Sequence, residues 1–167
     1  MTLVYLGLGS NLGDREAHLR QALDELHKPD LRLLRVSALY ETEPIGLREQ
    51  PWFLNQVAEF ETELAPLPLL HRTSGIEIAM GRRRLQLNGP RVIDIDILLH
   101  GNTILTTPEL ELPHPRYRDR RFVLEPLAEL NPTLPDPVTS RTIAALRDAL
   151  RGQTVRRLAS AVESETR

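Results

Sequence analysis

Strand-like and helix-like segments follow one another as strand, helix, strand, strand, helix, strand, with a further region appended, and this order predicts an α+β fold. Two segments carry a 3.6-residue apolar period, four carry short strand-forming runs, and Gly, Pro and Asn clusters separate them. A chain of 167 residues, 41% of them hydrophobic, can bury one core. The order is that of a split βαβ unit, a ferredoxin-like (βαββαβ) antiparallel sheet with helices packed on one face. A single domain is expected over 1–152, followed by a polar C-terminal tail over 153–167.

Leu3 to Leu8 is a short apolar run closed by Gly9-Ser10-Asn11 and reads as a buried strand entering a turn. Gly7, Gly9 and Gly13 match neither G-x-G-x-x-G nor a G-K-[ST] loop, and are assigned to backbone geometry in that turn. From Asp14 the pattern is helical, with Leu19, Ala22, Leu23 and Leu26 on one face, Asp14 and Glu16 in the first turn and Pro29 beyond the end. Leu31 to Tyr40, alternating Leu34, Val36, Ala38 and Tyr40, reads as the second strand. Glu41 to Pro51, with its prolines and glycine, is a long loop of the kind that is usually functional or disordered. Phe53 through Leu64 is the third strand. Pro66 and Pro68 open a second helix, with Leu67, Leu70, Ser74 and Ile78 as its apolar stripe and Gly81 as its stop. After the fourth strand, Gly101-Asn102 reads as a hairpin turn and Leu112-Pro113-His114-Pro115-Arg116 as a proline-fixed loop. Pro126 to Leu130 is a short helical piece and Thr142 to Leu150 a helix. Beyond Gly152 the polar chain is expected to fray.

The fourth strand, Val92-Ile93-Asp94-Ile95-Asp96-Ile97-Leu98-Leu99, concentrates the chemistry. Alternation puts Ile93, Ile95 and Ile97 on one side and Asp94 and Asp96 on the other. Two carboxylates roughly 6.6 Å apart along a strand can hold a hard divalent cation whose other ligands are water and phosphate oxygens. Arg82, Arg83, Arg84 and Arg91 flank the turn Asn88-Gly89-Pro90, and guanidinium groups suit bidentate binding of phosphate. Simple salt bridging between these groups is the plain structural alternative.

Composition narrows the function classes. A net charge of −2 argues against a nucleic-acid backbone as main partner. The absence of cysteine excludes a disulfide framework and a thiolate metal site, and suits a reducing cytoplasm. The N-terminus lacks the positive n-region of a signal peptide, and no apolar run approaches the ~18 to 20 residues of a membrane span. A cytoplasmic monomer with no membrane or nucleic-acid partner is expected.

Six motifs occur in order: Gly9-Ser10-Asn11-Leu12-Gly13, Tyr40-Glu41-Thr42-Glu43-Pro44, Gln50-Pro51-x-Phe53-x-Asn55, Gly81-Arg82-x-Arg84, Gly89-Pro90-Arg91-x-x-Asp94-x-Asp96 and Pro113-His114-Pro115-Arg116. Their order and spacing over roughly residues 3 to 150 resemble the hydroxymethyldihydropterin pyrophosphokinases of folate biosynthesis. The resemblance implies an ATP-dependent enzyme that transfers pyrophosphate to the hydroxymethyl group of 6-hydroxymethyl-7,8-dihydropterin and releases AMP, with two magnesium ions (Mg2+). It assigns Asp94 and Asp96 to the metal, Arg82 and Arg91 to catalysis, and Glu77, Arg84, His114, Arg116 and Arg120 to ATP. It implies that Phe53 and Phe122 stack on the pterin, that Asn55 reads its edge, and that Thr42, Pro44 and Ile45 line the same pocket. The chain holds only three phenylalanines, so two at stacking positions is informative. Where some members carry tryptophan, tyrosine and glutamine, this chain has Asn88, Pro115 and Ser74, changes that bear on details of ATP binding. Glu43 to Pro51 and Arg83 to Gly89 are expected to close over the ligands.

Two other readings fit parts of the pattern. A ferredoxin-like RNA-binding module shares the strand order but needs exposed RNP aromatics and a basic face. A two-metal phosphoesterase or nuclease would use the same carboxylates and arginines, yet gives no reason for Phe53, Asn55 and Phe122.

Overall fold

The structure, a computed structural model, describes residues 1–43, 51–81 and 91–158. Its elements are β1 Thr2–Ser10, α1 Arg15–Leu26, β2 Leu31–Val36, β3 Leu39–Thr42, β4 Phe53–Thr62, α2 Pro66–Ala79, β5 Asp94–His100, β6 Leu105–Thr106, β7 Glu111–Leu112, α3 Arg121–Leu130, α4 Ile143–Ala149 and β8 Val155–Leu158. The main sheet runs β5-β1-β4-β3-β8, with β2 pairing β4 beyond β3. Neighbouring strands pair antiparallel. Taken as one edge, β2 and β3 complete the βαββαβ arrangement that the order of segments predicts.

Alternation divides the sheet into two faces. Val4, Leu6 and Leu8 of β1, Ala58 and Phe60 of β4, and Ile95 and Ile97 of β5 pack with Leu19, Ala22 and Leu26 of α1 and Leu69 and Ile76 of α2. Burying each such side chain stabilises the fold by about 1.5–3 kcal/mol before entropy is counted. Asp14 caps α1 by accepting from the Ala17 N–H at 3.1 Å, and Gly13 takes φ +69 just before it. The opposite face carries Tyr5, Val57 and Leu98, which pack with Val123, Leu124 and Leu127 of α3 and Ile143 and Leu146 of α4. Helices therefore sit on both faces, and the appended region supplies the second layer.

Several local expectations are corrected. The second strand is broken between Val36 and Leu39. Leu31 is buried and Leu33 packs on the core, whereas Leu34 and Val36 are 43% and 40% exposed, and the register with β4 shifts between Leu33 and Arg35. Side chains heal the break: Gln56 Nε2 donates to the Ser37 carbonyl at 2.9 Å, and Ser37 Oγ accepts from the Val57 N–H at 3.0 Å. In α2 the buried stripe is Leu69, Thr73, Ile76 and Glu77, and Ile78 is 73% exposed. The polar members find partners, Thr73 at the Leu70 carbonyl and Glu77 at the Ile95 N–H, so the true stripe is not apolar throughout. Gly101-Asn102 does not join two paired neighbours: β5 pairs β1, and β6 pairs β7. The helical piece predicted at Pro126 begins at Arg121. After Gly152 the chain does not simply fray, since Val155–Leu158 pairs with Leu39–Thr42 on the edge of the main sheet.

Candidate active site

The second sheet face is covered at one end by α3 and α4 and carries a cavity of about 200 Å3 at the other. Register explains why it is open there. Gly9 lies across from Asn55 on one side and Asp94 on the other, and Gly7 across from Val57 and Asp96. Two glycines therefore form the floor between the side chains of β4 and β5. A methyl group at Gly9 would stand 3.0 Å from Asn55 Oδ1 and 3.5 Å from Phe53. Both glycines lie within β1, so the assignment of Gly7 and Gly9 to a strand-to-helix turn is corrected, and only Gly13 serves that turn. A glycine inside a strand is itself a signal of close approach.

Thr42, Phe53, Asn55, Arg91, Asp94, Asp96, Arg116, Arg120 and Phe122 all line this cavity. Ile93, Ile95 and Ile97 are buried while Asp94 and Asp96 are only partly covered, which is the alternation expected of this strand. Arg91 and Asp94 form an ion pair at 3.1 Å. Asn55 is fixed by its Nδ2, which donates to Thr42 Oγ1 at 2.8 Å. The Arg120 guanidinium stacks 5.5 Å from the centre of the Phe122 ring. Val57, Leu98 and Val123 give the cavity an apolar wall that the sequence did not single out.

Arg116 and Arg120 flank a 3-10 turn, Tyr117–Asp119, held from below. The buried Asp136 carboxylate accepts from Tyr117 Oη, from Arg118 Nε at 3.0 Å and from the Thr139 N–H at 2.8 Å. Burial alone would raise its pKa, but these hydrogen bonds outweigh it and hold Asp136 at about 2. His114 stands close enough to Asp94, Arg116 and Arg120 to feel their charges. Burial first, then the two arginines, lower its pKa to about 4, so the imidazole is neutral near pH 7. Its Nδ1 accepts from the Arg116 N–H at 3.1 Å, which assigns the remaining ring proton to Nε2 as a donor.

Glu77 is not among the cavity's lining residues. It is buried in α2 and its carboxylate accepts from the Ile95 N–H at 2.8 Å, between the two aspartates of β5. Pro44, Ile45, Arg82 and Arg84 lie outside the described residues, as do most of the two segments expected to close. No group of three or more His, Asp or Glu suited to a metal occurs among the described residues. The two β5 carboxylates are a hard, oxygen-only pair, which fits a magnesium ion that keeps water and phosphate as its other ligands. No helix among the described residues is long and apolar enough to cross a membrane.

A family model described as 7,8-dihydro-6-hydroxymethylpterin-pyrophosphokinase (HPPK) matches residues 5–132. The 2-amino-4-hydroxy-6-hydroxymethyldihydropteridine pyrophosphokinase of Bacillus subtilis is 46% identical over 129 residues, 77% of this chain and 77% of that protein. Its Pseudomonas aeruginosa namesake is also 46% identical, over 78% of this chain and 82% of the relative. Folic acid synthesis protein fol1 of Schizosaccharomyces pombe is 42% identical over 92% of this chain, which spans only 21% of that longer protein. Among solved structures, Plasmodium falciparum HPPK-DHPS with pteroate superposes with a TM-score of 0.72 at 17% identity, over 88% of this chain and 42% of that one. That likeness concerns the fold alone.

Proposed function

This chain belongs to the 7,8-dihydro-6-hydroxymethylpterin-pyrophosphokinase family, and from that membership we propose that it transfers pyrophosphate from ATP to 6-hydroxymethyl-7,8-dihydropterin in folate synthesis. The observation that carries this reading is one cavity in which Phe53, Asn55 and Phe122 stand beside Asp94, Asp96, Arg91, Arg116 and Arg120. A flat heteroaromatic ring and a polyphosphate each find matching groups there. Nothing in a phosphoesterase or an RNA-binding module requires that combination.

In the proposed reaction the hydroxymethyl oxygen forms a bond to the β-phosphorus of ATP. The bond from that phosphorus to the bridging oxygen of the α-phosphate breaks, AMP leaves with the electron pair, and the hydroxyl proton is lost to solvent. Such transfers call for positioning and charge neutralisation rather than covalent help. Asp94 and Asp96 are the residues that would hold magnesium, which when bound supplies charge neutralisation at the phosphate oxygens. Arg91, with Arg82, meets the phosphates as charge moves toward AMP, while Arg84, Arg116, Arg120 and the His114 Nε2–H hold the nucleotide. Glu77 acts on this reading through the Ile95 N–H, fixing the strand between the two aspartates. Phe53 and Phe122 sandwich the pterin, Asn55 pairs with its edge, and Thr42, Pro44 and Ile45 complete that pocket.

The test is calorimetric titration of each ligand into Phe53→Ala and Phe122→Ala. Loss of one stacked face, by analogy with bases on aromatic side chains, is worth about 1–3 kcal/mol. Pterin affinity should fall roughly five- to 150-fold, with ATP affinity nearly unchanged in Phe53→Ala and reduced by less than pterin affinity in Phe122→Ala, whose ring carries the Arg120 guanidinium. Equal loss of both ligands would mean that these rings are only core.

A further inference from the structure

Beyond the residues that face the cavity, we infer that Asn11 is a positioning residue that sets Arg91 against Asp94. Asn11 is fully buried, just past the end of β1, the strand flanked by β4 and β5. It grips Arg91 twice: its backbone N–H donates to the Arg91 carbonyl at 3.1 Å, and its Oδ1 accepts from the Arg91 N–H at 2.7 Å. In the other direction its Nδ2 donates to the Pro51 carbonyl at 3.1 Å. The partners dictate the amide's orientation, because an N–H needs the oxygen and a carbonyl needs the nitrogen.

The consequence is mechanical. Arg91 lies three residues before Asp94, and Pro51 two before Phe53. One primary amide thus ties the phosphate side of the cavity to the pterin side, across the end of the strand that carries the Gly7 and Gly9 floor. With the Arg91 backbone fixed at both its N–H and its carbonyl, its guanidinium reaches Asp94 at 3.1 Å. A displacement of about 1 Å at such a group can cost on the order of 100-fold in rate. A shorter side chain at position 11 cannot span both partners, and an aspartate loses the donor that Pro51 requires.

This rests on the reading of Arg91 as a phosphate contact in the transfer. The experiment is a double-mutant cycle on kcat for pterin-dependent AMP release, using Asn11→Ala, Arg91→Ala and both together. Asn11→Ala should lower kcat about tenfold or more while the KM for ATP stays within about threefold. In the Arg91→Ala background the same change should cost less than about twofold, because its effect passes through Arg91. Additive losses, or an unchanged kcat, overturn the proposal. Asn11→Asp keeps the oxygen for the Arg91 N–H but loses the donor to the Pro51 carbonyl, so its kcat should fall between those of wild type and Asn11→Ala. If the alanine variant does not fold, the same cycle is run with Asn11→Asp, and losses that add to those of Arg91→Ala overturn the proposal. Amide exchange supplies a readout without catalysis: the Arg91 N–H should exchange at least about tenfold faster in Asn11→Ala, with β1 amides unchanged. Wild-type protein that releases no AMP with pterin would defeat the proposed reaction, whereas an unaltered Arg91 amide would defeat this role of Asn11.

Discussion

At the scale of single residues, the cavity depends as much on missing side chains as on present ones. Gly9→Ala would push a methyl group to 3.0 Å from Asn55 Oδ1. Pterin affinity should therefore drop about tenfold, the equivalent of ~1.4 kcal/mol, which titration of pterin would measure. Asp94→Asn and Asp96→Asn should each remove most turnover at ordinary magnesium levels while circular dichroism stays native, since the apolar side of β5 is untouched. Near-normal activity would remove these carboxylates from the metal site. His114 makes a prediction in pH. Its folded pKa, about 4, lies below the ordinary 6.5, so between these values the unfolded chain binds the extra proton. The stability it contributes is complete above pH 6.5 and is lost as pH falls toward 4. Proton NMR of the ligand-free protein should give a His114 midpoint near 4, and a midpoint near 6.5 would show that the imidazole is open to water.

Elements differ in how plainly the sequence announced them. The acidic strand was legible because Ile93, Ile95 and Ile97 alternate with Asp94 and Asp96, and a period of two has one meaning in a sheet. The stripe of α2 was not, because Thr73 and Glu77 are buried for their hydrogen bonds while the apolar Ile78 points to solvent. Strand β8 was hidden for a related reason. Val155-Arg156-Arg157-Leu158 reads as polar tail, and its pairing with β3 is a tertiary event. Arg156 pairs with Glu41 and stacks 5.6 Å from the centre of Trp52, so this strand braces the edge that carries Thr42. A chain ending at Gly152 should lose at least about 3 °C in Tm and bind pterin more weakly than ATP is affected. For the phosphate side, Arg91→Ala should lower kcat far more than ATP affinity, the mark of an interaction made mainly during transfer. A parallel fall in ATP affinity would make Arg91 a ground-state anchor.

Across the whole molecule, one sheet serves two purposes. One face is given over to the core with α1 and α2, and the other is half core and half cavity. Residues of motifs in β1, β3, β4, β5 and the segment before α3 meet at that cavity, while Arg82 and Arg84 lie outside the described residues, and no one motif specifies the reaction. What the pattern withheld was the support: the glycine floor, the Asn11 bridge and the Asp136 clamp, which depend on partners distant in sequence, Pro51 and Arg91 for Asn11, Tyr117 and Arg118 for Asp136. The central claim is that a pterin and ATP meet in this one cavity. Its most direct test is 31P NMR of the protein with magnesium and ATP, with and without 6-hydroxymethyl-7,8-dihydropterin. AMP and a pterin diphosphate should appear in equal amounts only when both substrates are present, and AMP or ADP formed equally well without the pterin would contradict it.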